Sequence, residues 1–312
     1  MPNVSMGRLP LSRHAIDRDG SARARAGLLG ELAASPEARV LLLGRRGALV
    51  RPGTGGSPLA LALRAPADVP IEPMAYLGRS TADADGEPAG TPILLALDAD
   101  DELEPRDGET WGDLRVIATD LDDRDAGLFT EALALANWHR SAAHSPRTGE
   151  ETVVEHSGWM RRAPSDDHEV FPRTDPAVIV AVLDDQDRLL LGSNAMWQSN
   201  RYSLLAGFVE AGESLEAAAL REIHEESGLR IVDPHYLGSQ PWPFPRSLML
   251  GFEARVAEDQ DPEALLPDGE EILDLRWFTR DELRGEAAAL ILPGPSSIAR
   301  AIIDAWIDRV PA

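Results

Sequence analysis

Residues 207–229 read "GFVEAGESLEAAALREIHEESGL". The stretch has two halves. Gly207 to Glu213 is a glycine-bounded loop, and the segment from Ser214 onward is rich in the helix formers Ala, Leu and Glu. Ser214 is placed to cap a helix and Gly228 to end it. At about 100° per residue, Glu222, Glu225 and Glu226 fall within one arc of roughly 100°. Leu215, Ala218 and Ala219 lie on or beside that arc, so the carboxylates are expected on the side facing the protein. Partly buried like charges repel and raise one another's pKa. Arg221 reaches Glu225 at i,i+4, but one cation does not balance three anions. Either some carboxyls stay protonated or divalent cations sit among them; a solvated acidic face is the plainest alternative. The chain has no cysteine, so its ligands are oxygen-rich, which favours the hard ions Mg²⁺ or Mn²⁺.

The spacing extends the pattern. Gly207, five residues, Glu213, seven residues, then Arg221-Glu222-Ile223-His224-Glu225-Glu226-Ser227-Gly228-Leu229 fills every fixed position of the Nudix box. The segment therefore resembles the loop-helix-loop of Nudix hydrolases. That resemblance implies divalent metal and hydrolysis of a nucleoside diphosphate linked to another group. A diphosphate concentrates negative charge that repels an attacking water; cations neutralise it and orient in-line attack. By resemblance Glu222, Glu225 and Glu226 ligate metal, and Glu226 or Glu225 also acts as base. Arg221 orients a glutamate by ion pairing and Glu213 braces the loop. His224 falls at a variable position and is expected to face solvent.

The box fixes a reaction class, not a substrate. Residues 239–247, "SQPWPFPRS", alternate prolines with Trp242 and Phe244 and read as stiff and extended. This array resembles the NADH pyrophosphatase (NudC-type) family. "LALANWH" (133–139) and "FPRTDPAVIVAV" (171–182) extend the likeness to about residues 125–310, with a weaker likeness over 1–125. The resemblance implies cleavage of NADH, and less readily NAD⁺, to reduced nicotinamide mononucleotide (or its oxidised form) and AMP. It extends the substrate range to NAD-capped RNA 5′ ends, and it implies a homodimer with two or three Mg²⁺ or Mn²⁺ ions per site. It assigns substrate contacts to Gln240, Pro241, Trp242, Pro243, Phe244, Pro245, Arg246, Ser247 and the backbone of Ala299. It adds the carbonyl of Ala206 and the carboxylate of Glu271 as metal ligands. Phe171 and Phe208 are read as stacking on a base, or alternatively as core aromatics.

Around these motifs, "ARVLLLGRRGALVRPG" (38–53) reads as strand, turn and strand, and "TPILLALDAD" (91–100) and "DLRVIATDL" (113–121) as further strands. "AGLFTEALALANWHRSA" (126–142) reads as a helix, and residues 143–170 as a polar, irregular linker. The predicted fold class is α+β: a Nudix α/β/α sandwich with a mixed sheet over 171–312, preceded by a smaller α/β N-terminal domain over 1–135 and a zinc-ribbon-like linker over 136–170. Family members often carry two Cys-x-x-Cys pairs in that linker. Here Ser145, Thr148, Ala163 and Asp166 stand at those positions, so no structural zinc is expected.

The formal net charge of −23 argues against a nucleic-acid-tracking surface, and no DNA partner is expected. No apolar run approaches the roughly 20 residues of a membrane span and no signal-peptide core opens the chain, so a cytoplasmic location without membrane partners is expected. Two other readings compete. One is a Nudix diphosphatase for ADP-ribose or another dinucleotide, against which "SQPWPFPRS" speaks. The other is a non-catalytic ligand-sensing Nudix module, against which the complete box speaks.

Overall fold

The computed structural model describes residues 9–54, 56–100, 102–285 and 290–309. It resolves into two compact units: Leu11–Thr174 with Trp242–Arg246, and Asp175–Pro241 with Ser247–Ala312 and the chain's start up to Pro10.

The first unit is built on a seven-stranded sheet. Its strands are β1 (Ile16–Asp17), β2 (Arg39–Gly44), β3 (Gly47–Pro52), β4 (Leu59–Leu61), β5 (Ala75–Ser80), β6 (Pro92–Leu97) and β7 (Thr110–Gly112), in the order β1-β5-β6-β2-β3-β4 with β7 also on β3. Helices α1 (Leu28–Ala33), α2 (Leu114–Ile117) and α3 (Asp123–Ser141) accompany it. Side chains alternate across a strand. Leu41 and Leu43 of β2 therefore join Leu128, Phe129 and Leu135 of α3 in one core, while Val40 and Leu42 join Leu28 and Leu32 of α1 in another. Each such fully buried aliphatic contributes roughly 1.5–3 kcal/mol.

Residues 113–121 are not the strand expected. Asp113 accepts the Arg115 N–H (2.9 Å) and starts α2, and a 3₁₀ turn over Ala118–Asp120 comes next. Leu114, Ala118 and Leu121, spaced four and three apart, are the positions buried in the α3-side core. That is a helical period, and the capping aspartate decides it.

The linker is more ordered than its composition suggests. β8 (Val153–Glu155), β9 (Met160–Arg162) and β10 (Glu169–Val170) form a three-stranded sheet in the order β10-β9-β8. α3 runs through the expected boundary at residue 135. The turns that resemble zinc knuckles are held by oxygen chemistry. The Ser145 hydroxyl accepts the N–H groups of Arg147 (3.2 Å) and Thr148 (3.3 Å). One carboxylate oxygen of Glu150 accepts the Thr148 hydroxyl (3.2 Å) and both the N–H (3.1 Å) and hydroxyl (2.5 Å) of Ser165, joining the two turns.

The second unit is an α/β/α sandwich. Its strands are β11 (Asp175–Leu183), β12 (Leu189–Asn194), β13 (Leu205–Phe208), β14 (Ile231–Trp242), β15 (Ser247–Val256) and β16 (Ile272–Phe278). The sheet order is β14-β15-β11-β12-β16, with β13 also on β11. It is mixed, since β11 runs parallel to β15 and antiparallel to β12 and β13. Helix α4 (Leu215–Ser227) covers one face, packing Ala218, Ala219 and Ile223 against Val178, Val180 and Val182. The short helix α5 (Arg280–Arg284) precedes α6 (Ile298–Asp308), which covers the other face with Ile298, Ile302 and Trp306 against Ile179, Ala181 and Leu183. The period-two alternation of β11 thus divides the two cores.

"SQPWPFPRS" is extended only in part. β14 runs through Trp242, residues 243–246 fold into a turn, and β15 resumes at Ser247. Pro241 is compatible with a strand because β14 is the sheet's edge, while Pro243 and Pro245 fall in the turn. Among the described residues no helix is long and apolar enough to cross a membrane.

Candidate active site

The Ser214 hydroxyl accepts the Ala217 N–H (3.2 Å) and starts α4, and Gly228, at φ 71°, ends it. The helix sets its three glutamates in three environments. Glu226 is buried, Glu222 is half-buried and Glu225 is exposed, with 59% of its side chain accessible. The expectation that all three face the protein therefore fails for Glu225. It lies at the end of the arc farther from the core and pairs with Arg221 at the surface (3.0 Å). His224 is exposed, as its position implied.

Arg221 is the hub of the loop. Its Nε and Nη2 donate to the two oxygens of Glu213 (2.9 and 2.8 Å), and Nη2 also donates to the Phe208 carbonyl (3.0 Å). Nη1 pairs with Glu222 (2.8 Å) and Glu225 (3.0 Å). Glu213 in turn accepts the Glu210 N–H (3.0 Å), so Gly207–Glu213 is tied to the helix at both ends. Hydrogen bonds from Arg221, then from the Glu210 amide, hold the Glu213 carboxyl down to about 2. Gly207 leaves the room that the Glu222 carboxyl occupies. A Cβ there would stand 2.0 Å from the carboxyl carbon of Glu222.

Glu226 is the chemical anomaly. Burial, then the charges of Glu222, Glu271 and Asp268, push its carboxyl up to about 8, against a backbone hydrogen bond at Ala206 that favours the ionised form. Its Oε2 is buried with no hydrogen-bond partner. Burial also raises Glu222. Glu271 is exposed, and its Oε1 accepts a bond from Asn194 (3.4 Å). Asp268 shapes the turn that carries it by accepting the N–H groups of Glu270, Glu271 and Ile272, each at 2.9 Å. Among the described residues no three acidic or imidazole side chains close around one point. The donor set nevertheless fits a hard divalent cation: an unpartnered buried carboxylate oxygen, with acidic neighbours near enough to repel it. A cation there would satisfy that oxygen and remove the repulsion.

The residues assigned to substrate divide differently. Phe171 and Phe208 are 54% and 58% exposed, so neither is a core aromatic. Gln240 is fully buried, with Nε2 donating to the Ser296 carbonyl (3.0 Å). Ala299 is buried in the α6-side core, and its N–H donates to the Ser297 hydroxyl (3.1 Å). Trp242 and Phe244 pack against the α3-side core of the first unit, their ring centroids 4.8 Å apart and nearly perpendicular. Phe244 and Pro245 line a cleft of about 570 Å³ whose other walls include Phe129, Leu133 and the arginines 45, 46, 115 and 140. Arg115 stacks over the Phe244 ring at 3.8 Å. The sequence reading missed these arginines. The pair in "GRRG" (44–47) sits at a tight turn between β2 and β3 and was the visible signal; Arg115 was hidden in the segment misread as a strand.

Comparison with known proteins places two family matches on the chain. Residues 173–299 match the NUDIX domain, and residues 37–138 match the NADH pyrophosphatase-like rudimentary NUDIX domain. The "NAD-capped RNA hydrolase NudC" of Mycobacterium bovis (strain BCG / Pasteur 1173P2) is 50% identical over 204 residues, 62% of this chain and 64% of that protein. The human "NAD-capped RNA hydrolase NUDT12" is 33% identical over 205 residues, 61% of this chain and 44% of that protein. The chain thus spans less than two thirds of the length of these relatives. Among solved structures, a NUDIX hydrolase from Nitrosomonas europaea aligns over 53% of this chain and 91% of its own, with a TM-score of 0.42 at 20% identity.

Proposed function

We infer that the chain belongs to the NADH pyrophosphatase (NudC-type) family of Nudix hydrolases, and from that premise we propose that it hydrolyses the pyrophosphate of NADH, and of NAD⁺, to the nicotinamide mononucleotide and AMP. The same reading extends to removal of NAD caps from RNA 5′ ends, the activity in the names of its relatives. The enzyme acts in the cytoplasm as a homodimer. The proposed division is an N-terminal domain over 1–135, a linker over 136–170 and a Nudix domain over 171–312; the NUDIX match over 173–299 supports the last of these, while the first match, over 37–138, runs with α3 past residue 135.

The observation that carries the reaction is Glu226, a buried carboxylate oxygen without a partner beside other acids. Glu222, Glu225, Glu226, Glu271 and the Ala206 carbonyl would hold two or three Mg²⁺ or Mn²⁺ ions, which would neutralise the diphosphate and orient it for in-line attack. In the hydrolytic step the oxygen of a water bonds to one phosphorus and the bond from that phosphorus to the bridging oxygen breaks. Glu226, ionised where a cation offsets the neighbouring acids, would take the proton the water gives up, and the bridging oxygen leaves on the other phosphate. Arg221 does not touch the reacting atoms. It fixes Glu222 and Glu225 and ties down the loop through Glu213. The ring-lined, arginine-rimmed cleft suits a ligand with an aromatic base and phosphates, which supports the dinucleotide.

Incubation of the purified protein with NADH and Mg²⁺ or Mn²⁺ tests the reading. AMP and reduced nicotinamide mononucleotide are expected in equal amounts. No AMP with either ion would sink it.

A further inference from the structure

The turn of "SQPWPFPRS" offers α3 an unusual backbone. Pro243 and Pro245 have no N–H, so at these positions the chain presents acceptors only. The Phe244 N–H is already taken by the Trp242 carbonyl (2.7 Å). One side chain answers both carbonyls. Asn137 Nδ2 donates to Pro243 O (2.9 Å) and to Pro245 O (3.2 Å), the two carbonyls that flank Phe244. Its Oδ1 accepts from Arg140 Nη1 (3.2 Å), so the amide plane is fixed at both ends. A primary amide has two donors in one plane and an acceptor opposite, and this geometry uses them all. Held this way, Phe244 lies edge-on to Trp242 and under the Arg115 guanidinium (3.8 Å), with Asn137 itself among the residues lining the same cleft.

We propose that Asn137 is a positioning residue for substrate affinity: it clamps the proline-rich turn so that Phe244 and Arg115 form one preset wall of the cleft. It acts on binding of the dinucleotide and not on the hydrolytic step, and in this it rests on the NAD(H) reading. Without the clamp, the turn must be ordered at the moment of binding, and that cost falls on affinity.

Asn137→Asp keeps the shape but replaces the donors with a carboxylate that faces two carbonyls. For the full chain with NADH, KM is expected to rise about tenfold with kcat within about twofold, the pattern of lost ground-state binding. Hydrogen exchange at Phe244 and Arg246 should quicken about tenfold while the α3 amides keep their protection. Asn137→Ala should do the same, which separates lost donors from added charge. A kcat loss at unchanged KM, unchanged kinetics, or a uniform rise in exchange across α3 and the turn would each overturn the proposal. A wild-type protein inert toward NADH overturns the substrate reading and the affinity role with it; an active wild type with kinetically silent Asn137 variants overturns the clamp alone.

Discussion

Glu226 is a carboxylate in a place that penalises charge, and the penalty can be separated from the chemistry. With its carboxyl raised to about 8 and Oε2 without a partner, the side chain costs the fold more as an anion than as a neutral group. Glu226→Gln keeps the volume and removes the charge. Turnover should fall at least about 100-fold, while Tm shifts by no more than about 3 °C, and upward rather than downward. A near-wild-type rate by AMP release would refute the role assigned to Glu226. Gly207→Ala makes the complementary test. Its Cβ would intrude 2.0 Å from the Glu222 carboxyl carbon, and that carboxyl is the far end of a flexible side chain. The fold can yield by moving Glu222, so Tm should change little. Activity should drop about tenfold or more, because a misplaced ligand carboxylate costs far more in rate than in stability. A variant with full activity would show that the position of Glu222 is not critical.

Among the elements, α3 carries several buried titratable groups; Glu131 and His139 are of opposite linkage, and Asp125, which burial raises to about 6, has the same sign as Glu131. Glu131 is buried with Oε1 unpartnered, and burial pushes it up to about 7, against the pull of Arg18 and Arg23. His139 is buried too. Its Nε2 meets the Gly158 carbonyl (2.8 Å) and its Nδ1 meets Arg161 (3.2 Å), and burial holds it down to about 4. The native state binds the Glu131 proton more tightly than the unfolded chain does, so its contribution is full below about 4.5 and is lost as pH rises through about 7. For His139 the unfolded chain binds the proton more tightly, so stability is lost as pH falls from about 6.5 toward 4. Between these limits the two slopes oppose each other. Glu131→Gln removes the larger opposing slope, so the variant should be more stable than wild type at pH 8 by up to about 3 kcal/mol, and that advantage should shrink steadily as pH falls from about 7 toward about 5. Urea midpoints from pH 5 to 8 that run parallel for the two proteins would refute this. Neither group is legible in sequence, because burial of a polar side chain on a helix depends on what packs over it. Helix ends were legible where a residue carries the signal alone, as Ser214 and Gly228 do for α4. The start of α2 was not, because Asp113 looked like the flank of an alternating strand. The two-residue and three-residue strands, β1 and β7 among them, are too short to show a period.

At the scale of the whole chain, the legibility of a feature in sequence is set by the range of its contacts. The Nudix helix rests on contacts within about 20 residues, so its spacing could be read directly, down to the pairing of Arg221 with Glu225; the two-point bond from Arg221 to Glu213 crosses from helix to loop and had no such spacing to show it. The cleft joins Arg45, Arg115, Asn137 and Phe244, which are far apart along the chain, and no local pattern announces it. Charge is the other global property. With 53 acidic against 30 basic residues, the chain carries 23 negative charges in excess. Many surface pairs, such as Arg25–Glu31 and Arg230–Asp259, are worth little individually. Self-repulsion should therefore outweigh lost ion pairs as salt rises, and NaCl should raise Tm modestly through screening. A divalent cation that binds the Glu226 site adds a term that screening cannot supply, about 2.7 kcal/mol at a hundredfold excess over its Kd. At matched ionic strength, with about 10 mM MgCl₂ against about 30 mM NaCl, Mg²⁺ should raise Tm by several degrees more than Na⁺ in the wild type. In Glu226→Gln that excess should largely vanish while the NaCl response persists. If the two salts stabilise the wild type equally, the acids around Glu226 bind no cation in the folded protein. If the excess survives in Glu226→Gln, the cation binds elsewhere on the acidic surface.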